Sequence, residues 1–259
     1  MNAIFINDPE NIGDALSSPR NYFLVCAQAI VRNLKIYQSL PKKDKETYFG
    51  DAIIGGGGLL YPTIRVVLSE LLTQPQNTRL VAWGLGMNTH GATSPDYPKF
   101  MDAFDLVGVR DWKSPFNYVP CASCMHTDFD RMFPAPVHDV VFYEHWQNPI
   151  QLNQPDILRS SNKKTAAQMA ETLSFLASGK TILTNTYHGV YWSMLLRRPV
   201  VVFKPFSNRF FGFKPDVLYA DETNWEAMLG KASAVPWDYL EECRACNRRF
   251  NAQVELLFA

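Results

Sequence analysis

Short apolar runs recur along the chain, separated by polar turns and by longer stretches with helical spacing. Residues 3–6, 51–54, 79–83, 105–109 and 137–143 each read as a short strand bounded by turn-forming or charged residues. Residues 63–72 and 165–177 instead repeat apolar positions every third or fourth residue, which predicts helices, with Gly179 stopping the second. A further short strand is expected at 216–219 and a closing helix at 237–257. Residues 113–136 carry prolines and little periodicity, so they read as a loop or a junction. Alternating strands and helices predict an α/β chain with parallel strands. Two similar halves are expected, residues 1–115 and 116–259, each a doubly wound sheet, facing one another across a central cleft.

The densest pattern is TILTNTYHGVYWSMLLRRPVVVFKPFSNRFFGF, residues 181–213. It reads as strand, polar turn, helix and strand, followed by cations. Thr184, Asn185 and Thr186 can each cap the helix, which His188 and Gly189 open and Arg197, Arg198 and Pro199 close. A histidine at a helix start, just past the carboxyl end of a strand, stands where α/β proteins bind ligands. The unpaired backbone N–H groups there favour an anion.

Composition narrows the setting. At 47% hydrophobic the chain can bury a full core. Its 25 basic and 25 acidic residues cancel, which argues against a dedicated nucleic-acid binder. No apolar run reaches the ~18 residues of a membrane-spanning helix. The first residues, MNAIFINDPENIGD, lack the basic and apolar regions of a signal peptide. The expectation is a cytoplasmic protein, with peripheral contact at the cytoplasmic face of the inner membrane left open. The five cysteines are an odd number, against a disulfide framework. Four of them form two C-x-x-C pairs, Cys121 with Cys124 and Cys243 with Cys246, a spacing that suits zinc. The pairs are far apart and the second lies in a helical pattern, so ordinary thiols are the preferred reading.

Several residues can carry chemistry, each with a plainer alternative. Residues 55–58 are four glycines after a strand, without a G-x-G-x-x-G spacing or a Walker lysine. They read as a tight turn, or as a backbone cradle for an acceptor or anion centred on Gly56 and Gly57. Asp14 is either a helix cap or an active-site carboxylate. Arg110 either pairs with Asp111 at the surface or offers a bidentate fork to a carboxylate or phosphate. Lys204, Arg209 and Lys214, among Phe206, Phe210, Phe211 and Phe213, form either a solvated face or a walled anion pocket. His188 is the candidate general acid: the helix start lowers its pKa, and a bound dianion raises it again. His90, His126, His138 and His145 show no metal-ligand spacing and read as background, with His126 kept as a candidate beside the first cysteine pair. Trp83, Trp112, Trp146 and Trp192 read as core or as saccharide stacking platforms.

The segments NIGDALSSP, DAIIGGGGLL, AWGLGMN, VGVRD, VPCASCMH and TNTYHGVYWSMLLRRPVVVFKPFSNRF, in that order, resemble the polysaccharide pyruvyl transferase family, across residues 11 to 210. The resemblance implies a GT-B-like fold, two Rossmann-type halves around a cleft. It implies transfer of a pyruvyl group from phosphoenolpyruvate to a sugar of a cell-surface polysaccharide or its lipid-linked precursor, as a ketal. It casts Arg110 as a donor ligand, His188 as the general acid, and Arg209, with Lys204 in competition, as a second donor cation. Asn185, Thr186 and the glycine turn would complete the substrate contacts, and Asp14 would orient an acceptor hydroxyl or take its proton. Many members carry arginine two residues before the histidine; Thr186 stands there instead, so Arg209, Lys204 or Lys214 would replace that charge. Phosphoenolpyruvate and a saccharide are the implied partners, and no metal or organic cofactor is demanded. The rivals are a nucleotide-sugar-dependent glycosyltransferase of the same architecture and a non-catalytic carbohydrate-binding subunit.

Overall fold

Strands that are apolar on both faces belong inside parallel sheets covered by helices on each side. The computed structural model, which describes residues 1–94 and 96–259, builds two such sheets. The first contains β1 (Asn2–Phe5), β2 (Ile30–Asn33), β3 (Ala52–Ile54), β4 (Gly57–Leu60), β5 (Leu80–Met87), β6 (Leu106–Val109) and β7 (Asn117–Tyr118). Their order is β2-β1-β3-β5-β6-β7, with β4 following β3 along the same side of β5. The second contains β8 (His138–Glu144), β9 (Leu158–Ser161), β10 (Gly179–Thr184), β11 (Val200–Phe203) and β12 (Leu218–Ala220), in the order β12-β11-β10-β8-β9. Every pairing between these strands is parallel.

Among the described residues, seven helices of at least one α-turn connect or cover the strands: α1 (Ile12–Leu16), α2 (Lys42–Lys45), α3 (Pro62–Leu72), α4 (Met169–Ser178), α5 (Tyr187–Leu195), α6 (Trp225–Leu229) and α7 (Tyr239–Phe258). Pro62 opens α3 at its first turn, where a missing N–H does no harm. Thr165 and Gln168 form a capping box ahead of α4. Gly179 ends α4, but not in the left-handed form expected of a glycine stop. Its φ of −89° and ψ of 138° are extended, and it is already the first residue of β10.

Alternation along the strands decides which face each residue covers. Ile4, Ile54, Ala82 and Leu85 pack with Ile64, Leu68 and Leu71 of α3. Ala3, Ile53, Val81 and Trp83 face the other way, onto Phe250 and Val254 of α7. In the second sheet Val141, Tyr143, Ile182 and Val202 meet α4 and α5, while Phe142, Leu183 and Val201 meet Trp225 of α6. Helix α7 serves both sheets: Tyr239 and Cys243 join the core of the second, Phe250 and Val254 that of the first. Between them the fully buried Asn247 accepts from Trp83 Nε1 at 2.9 Å and donates to the Pro120 carbonyl at 3.0 Å.

Candidate functional site

The carboxyl ends of both sheets open on one cavity of about 850 Å³. From the first sheet, Ile6 follows β1, Gly56 follows β3, Asn88 follows β5 and Arg110 follows β6. From the second, His145 follows β8, Asn162 follows β9, Thr186 follows β10 and Phe206 follows β11. Parallel strands present their loops and helix starts at this end, so ligand groups gather there.

The glycine turn between β3 and β4 lines the cavity through Gly56 and Gly57. Gly57 has φ +92°, and a Cβ on Gly55 would lie 2.1 Å from the Trp83 carbonyl, so the turn cannot be built with larger residues. Thr186 caps α5: its Oγ1 accepts from Gly189 N at 2.8 Å, and Thr184 Oγ1 accepts from Thr186 N at 3.1 Å. This fixes His188 in the first turn of α5, with 9% of its surface exposed. Burial, then the charges of Arg110 and Arg209, holds its pKa well below the usual imidazole range. His188 Nε2 lies 3.5 Å from Cys121 Sγ. Its Nδ1 faces Gly13, where a Cβ would come within 2.1 Å.

Arg110 is 3% exposed, and its guanidinium lies 3.6 Å from the centre of the Tyr187 ring. The room for it comes from Gly86 and Gly58, whose Cβ atoms would lie 2.0 Å and 3.2 Å from guanidinium nitrogens. It has no ion-pair partner among the described residues, and its Nε is buried without a hydrogen bond. The surface pair with Asp111 is not formed. Asp111 is buried and turned away, accepting from Met87 N at 2.7 Å and Tyr97 Oη at 3.3 Å, and burial pushes its carboxyl up to about 6.

Arg209 reaches the same cavity from the turn after β11. Its guanidinium lies over Phe206 at 4.7 Å and Phe210 at 5.0 Å, and its Nε is also buried without a partner. Burial and the neighbouring Arg110 charge lower its pKa to about 10. Two guanidinium groups therefore share one pocket without a carboxylate bound to either. Asp14 lines the wall nearby, but it is not the cap of α1; Asn11 is, accepting from Gly13 N at 3.1 Å. Asn11 Nδ2 also donates to Asp14 Oδ2 at 3.2 Å. Loss of solvent raises the Asp14 carboxyl to about 6, against the pull of Lys35, Arg209 and Arg110.

Thus Asp14, Gly56, Gly57, Arg110, Thr186, His188 and Arg209 are brought together. Three other candidates are not. Lys204 points to solvent and pairs with Glu222. Lys214 pairs with Glu242, lies over Trp112 at 4.7 Å and borders a separate small groove. The Asn185 side chain braces the loop after β8 instead, accepting from His145 N at 2.8 Å and donating to the Asn148 carbonyl at 2.6 Å. Two histidines read as background, His90 and His145, do line the cavity. His145 is held below the usual range by burial and by the charges of Arg209 and His90. Their signal was the one that marked His188, a position just past a strand end. It was obscured for His90 because β5 runs to Met87, four residues beyond its expected end. Of the tryptophans, Trp146 lines the cavity, Trp83 and Trp192 are fully buried, and Trp112 borders the separate groove.

All five cysteines are buried free thiols, and no cluster of three metal-ligating side chains occurs among the described residues. No helix among them is long and apolar enough to cross a membrane. Neither a protein-family model nor a curated protein matches the chain.

Proposed function

We propose that the chain is a phosphoenolpyruvate-dependent pyruvyl transferase that forms a ketal on a saccharide. The framework in this reading is GT-B-like, two Rossmann-type halves (1–115 and 116–259) meeting at the cavity. One observation carries the reading: Arg110 and Arg209, both without a carboxylate partner, flank the neutral His188 at the carboxyl ends of two parallel sheets. Unpaired charge buried beside an imidazole is unfavourable in the free protein and becomes favourable when a small polyanion binds. Phosphoenolpyruvate offers a carboxylate and a phosphate for the two forks.

The chemistry follows from those charges. The entering anion offsets the guanidinium charges and restores the basicity of His188, which takes up a proton. The imidazolium protonates the methylene carbon of the donor, leaving a carbocation at C2 stabilised by its oxygen substituent. A first sugar hydroxyl attacks C2, phosphate departs, and a second hydroxyl closes the ketal. Of the two hydroxyl protons released, one replaces the proton given by His188 and the other leaves with phosphate. Asp14, whose carboxyl titrates near 6, takes a hydroxyl proton. Both arginines orient the donor as well as bind it. A free or lipid-linked saccharide lies toward Trp146 and Asn162 on the cavity wall.

The test compares thermal stabilisation by phosphoenolpyruvate with that by UDP-, GDP- and CMP-sugars, in buffer free of phosphate. Phosphoenolpyruvate should stabilise the intact protein and not Arg110→Ala. His188→Ala should bind the donor but turn over about 100-fold more slowly or worse, the scale of lost general-acid catalysis. Stabilisation by a nucleotide sugar alone would replace this reading with the glycosyltransferase one.

A further inference from the structure

Three basic side chains gather around one phenyl ring at the cavity wall. The Arg209 guanidinium lies 4.7 Å from the centre of the Phe206 ring. The rings of His90 and His145 stand nearly perpendicular to Phe206, with centres 5.3 Å and 6.3 Å away. All three line the cavity, and each follows a different strand: His90 follows β5, His145 follows β8 and Arg209 follows β11. No carboxylate is paired with any of them among the described residues.

The backbone holds this grouping in place. Gly91 N donates to the Phe206 carbonyl at 3.0 Å, and Asn208 N donates to the Thr89 carbonyl at 3.1 Å. Thr89 N donates in return to Asn208 Oδ1 at 2.8 Å. The loop that carries His90 is therefore tied to the turn that carries Arg209. His145 is fixed from a third side, its N–H donating to Asn185 Oδ1 at 2.8 Å. Gln147 N donates to His145 Nδ1 at 3.3 Å. A backbone N–H only donates, so the neutral ring carries its proton on Nε2. Burial and the charges of Arg209 and His90 keep His145 below the usual imidazole range, so the neutral ring is the form a ligand meets.

The two arginines differ in what surrounds them. Arg110 is a single fork stacked on Tyr187, with Asn88 and two glycines beside it. A carboxylate has two oxygens, and one fork satisfies both. A phosphoryl group has three terminal oxygens and up to two charges, which ask for more donors than one fork supplies. Arg209 has two imidazoles nearby to provide them.

We propose that Arg209, His145 and His90 form a phosphoryl subsite, and that phosphoenolpyruvate lies with its phosphate there and its carboxylate on Arg110. The orientation of that donor rests on the proposed transfer reaction; the phosphoryl subsite does not. A phosphate monoester and the diphosphate of a nucleotide sugar share the same chemistry. The compact, doubly charged monoester is the better match to three donor side chains around one ring. This orientation puts the reacting vinyl group between the two arginines, which flank His188.

The experiment is isothermal titration calorimetry of the full chain in phosphate-free buffer, with inorganic phosphate, phosphoenolpyruvate and UDP-glucose as probes. The intact protein should bind phosphate and phosphoenolpyruvate. His145→Ala and Arg209→Met should each weaken both by about tenfold or more, the scale of a hydrogen bond to a charged group. His145→Gln keeps an N–H donor and should recover most of the affinity. His90, at the exposed rim, should show a smaller loss as His90→Ala. Arg110→Met should weaken phosphoenolpyruvate at least about tenfold more than phosphate, since only the first carries a carboxylate. Absent phosphate binding in the intact protein overturns the subsite, as does unchanged phosphate affinity in His145→Ala. Equal weakening of both probes by Arg110→Met overturns the orientation. If His145→Ala does not fold, Arg209→Met and His90→Ala decide on the same criterion. Binding of UDP-glucose in place of phosphoenolpyruvate, with the loss in His145→Ala falling on it, would sink the transfer reading and the monoester while leaving a phosphoryl subsite.

Discussion

Arg110 is buried against Tyr187 on a bed of glycines, with no acid paired to it among the described residues. An isolated charge in that setting opposes folding. Arg110→Met, similar in length but uncharged, should therefore raise the melting temperature of the unliganded protein, by about 2–4 °C for each kcal/mol recovered. Stabilisation by phosphoenolpyruvate should vanish in the same variant. A lower melting temperature would mean that stacking on Tyr187 outweighs desolvation. Asp14 gives a pH signature. Between about 4 and about 6 the native carboxyl keeps a proton that the unfolded chain, with its ordinary value of 3.8, has released, so stability falls as pH rises. His188 works in the opposite sense: below 6.5 the unfolded imidazole takes a proton that the buried one refuses, so stability falls as pH drops. In urea titrations, the stability of Asp14→Asn relative to the intact protein should grow from about pH 4 to about pH 6 and then level off. A constant difference would count against the raised carboxyl.

At the level of elements, the site is assembled from strand ends, and that part was legible in the sequence. The runs at 105–109 and 181–183, each followed by polar or charged residues, placed Arg110 and His188 beyond buried strands. The edge strand β12 matches the short strand expected at 216–219, but the edge strands β2 and β9 were not legible. Neither β2 nor β9 has a fully buried position, so neither shows an apolar run. The glycines that open β4 hid a strand behind a turn. Lys204 and Lys214 could not be sorted from Arg209 because their acids, Glu222 and Glu242, are distant in sequence and meet them only in the fold. Helix α1 offers a sharper test of assembly. Alanine is a better helix former than glycine by about 1 kcal/mol, so Gly13→Ala would help α1 in isolation. Here its methyl would collide with His188 Nδ1. Gly13→Ala should keep its circular dichroism and donor binding while losing turnover nearly as fully as His188→Ala. Unimpaired turnover would show that the imidazole can move without consequence.

Over the whole molecule, helix α7 ties the two sheets together, and Asn247 is its central tie. Asn247→Ala would strand Trp83 Nε1 and the Pro120 carbonyl in an apolar core. At about 1–3 kcal/mol for each unsatisfied group, a loss of about 2–6 kcal/mol is expected, read as a lower urea midpoint. A change within about 0.5 kcal/mol, typical of surface substitutions, would remove α7 from that role. The position of α7 in the chain has a temporal consequence. Trp83 and Phe250 share a core, yet a ribosome joins them on the order of ten seconds apart. During that interval the face of the first sheet that α7 will cover is without its lid. A nascent chain at this stage would be a natural client for a chaperone that shields apolar surface.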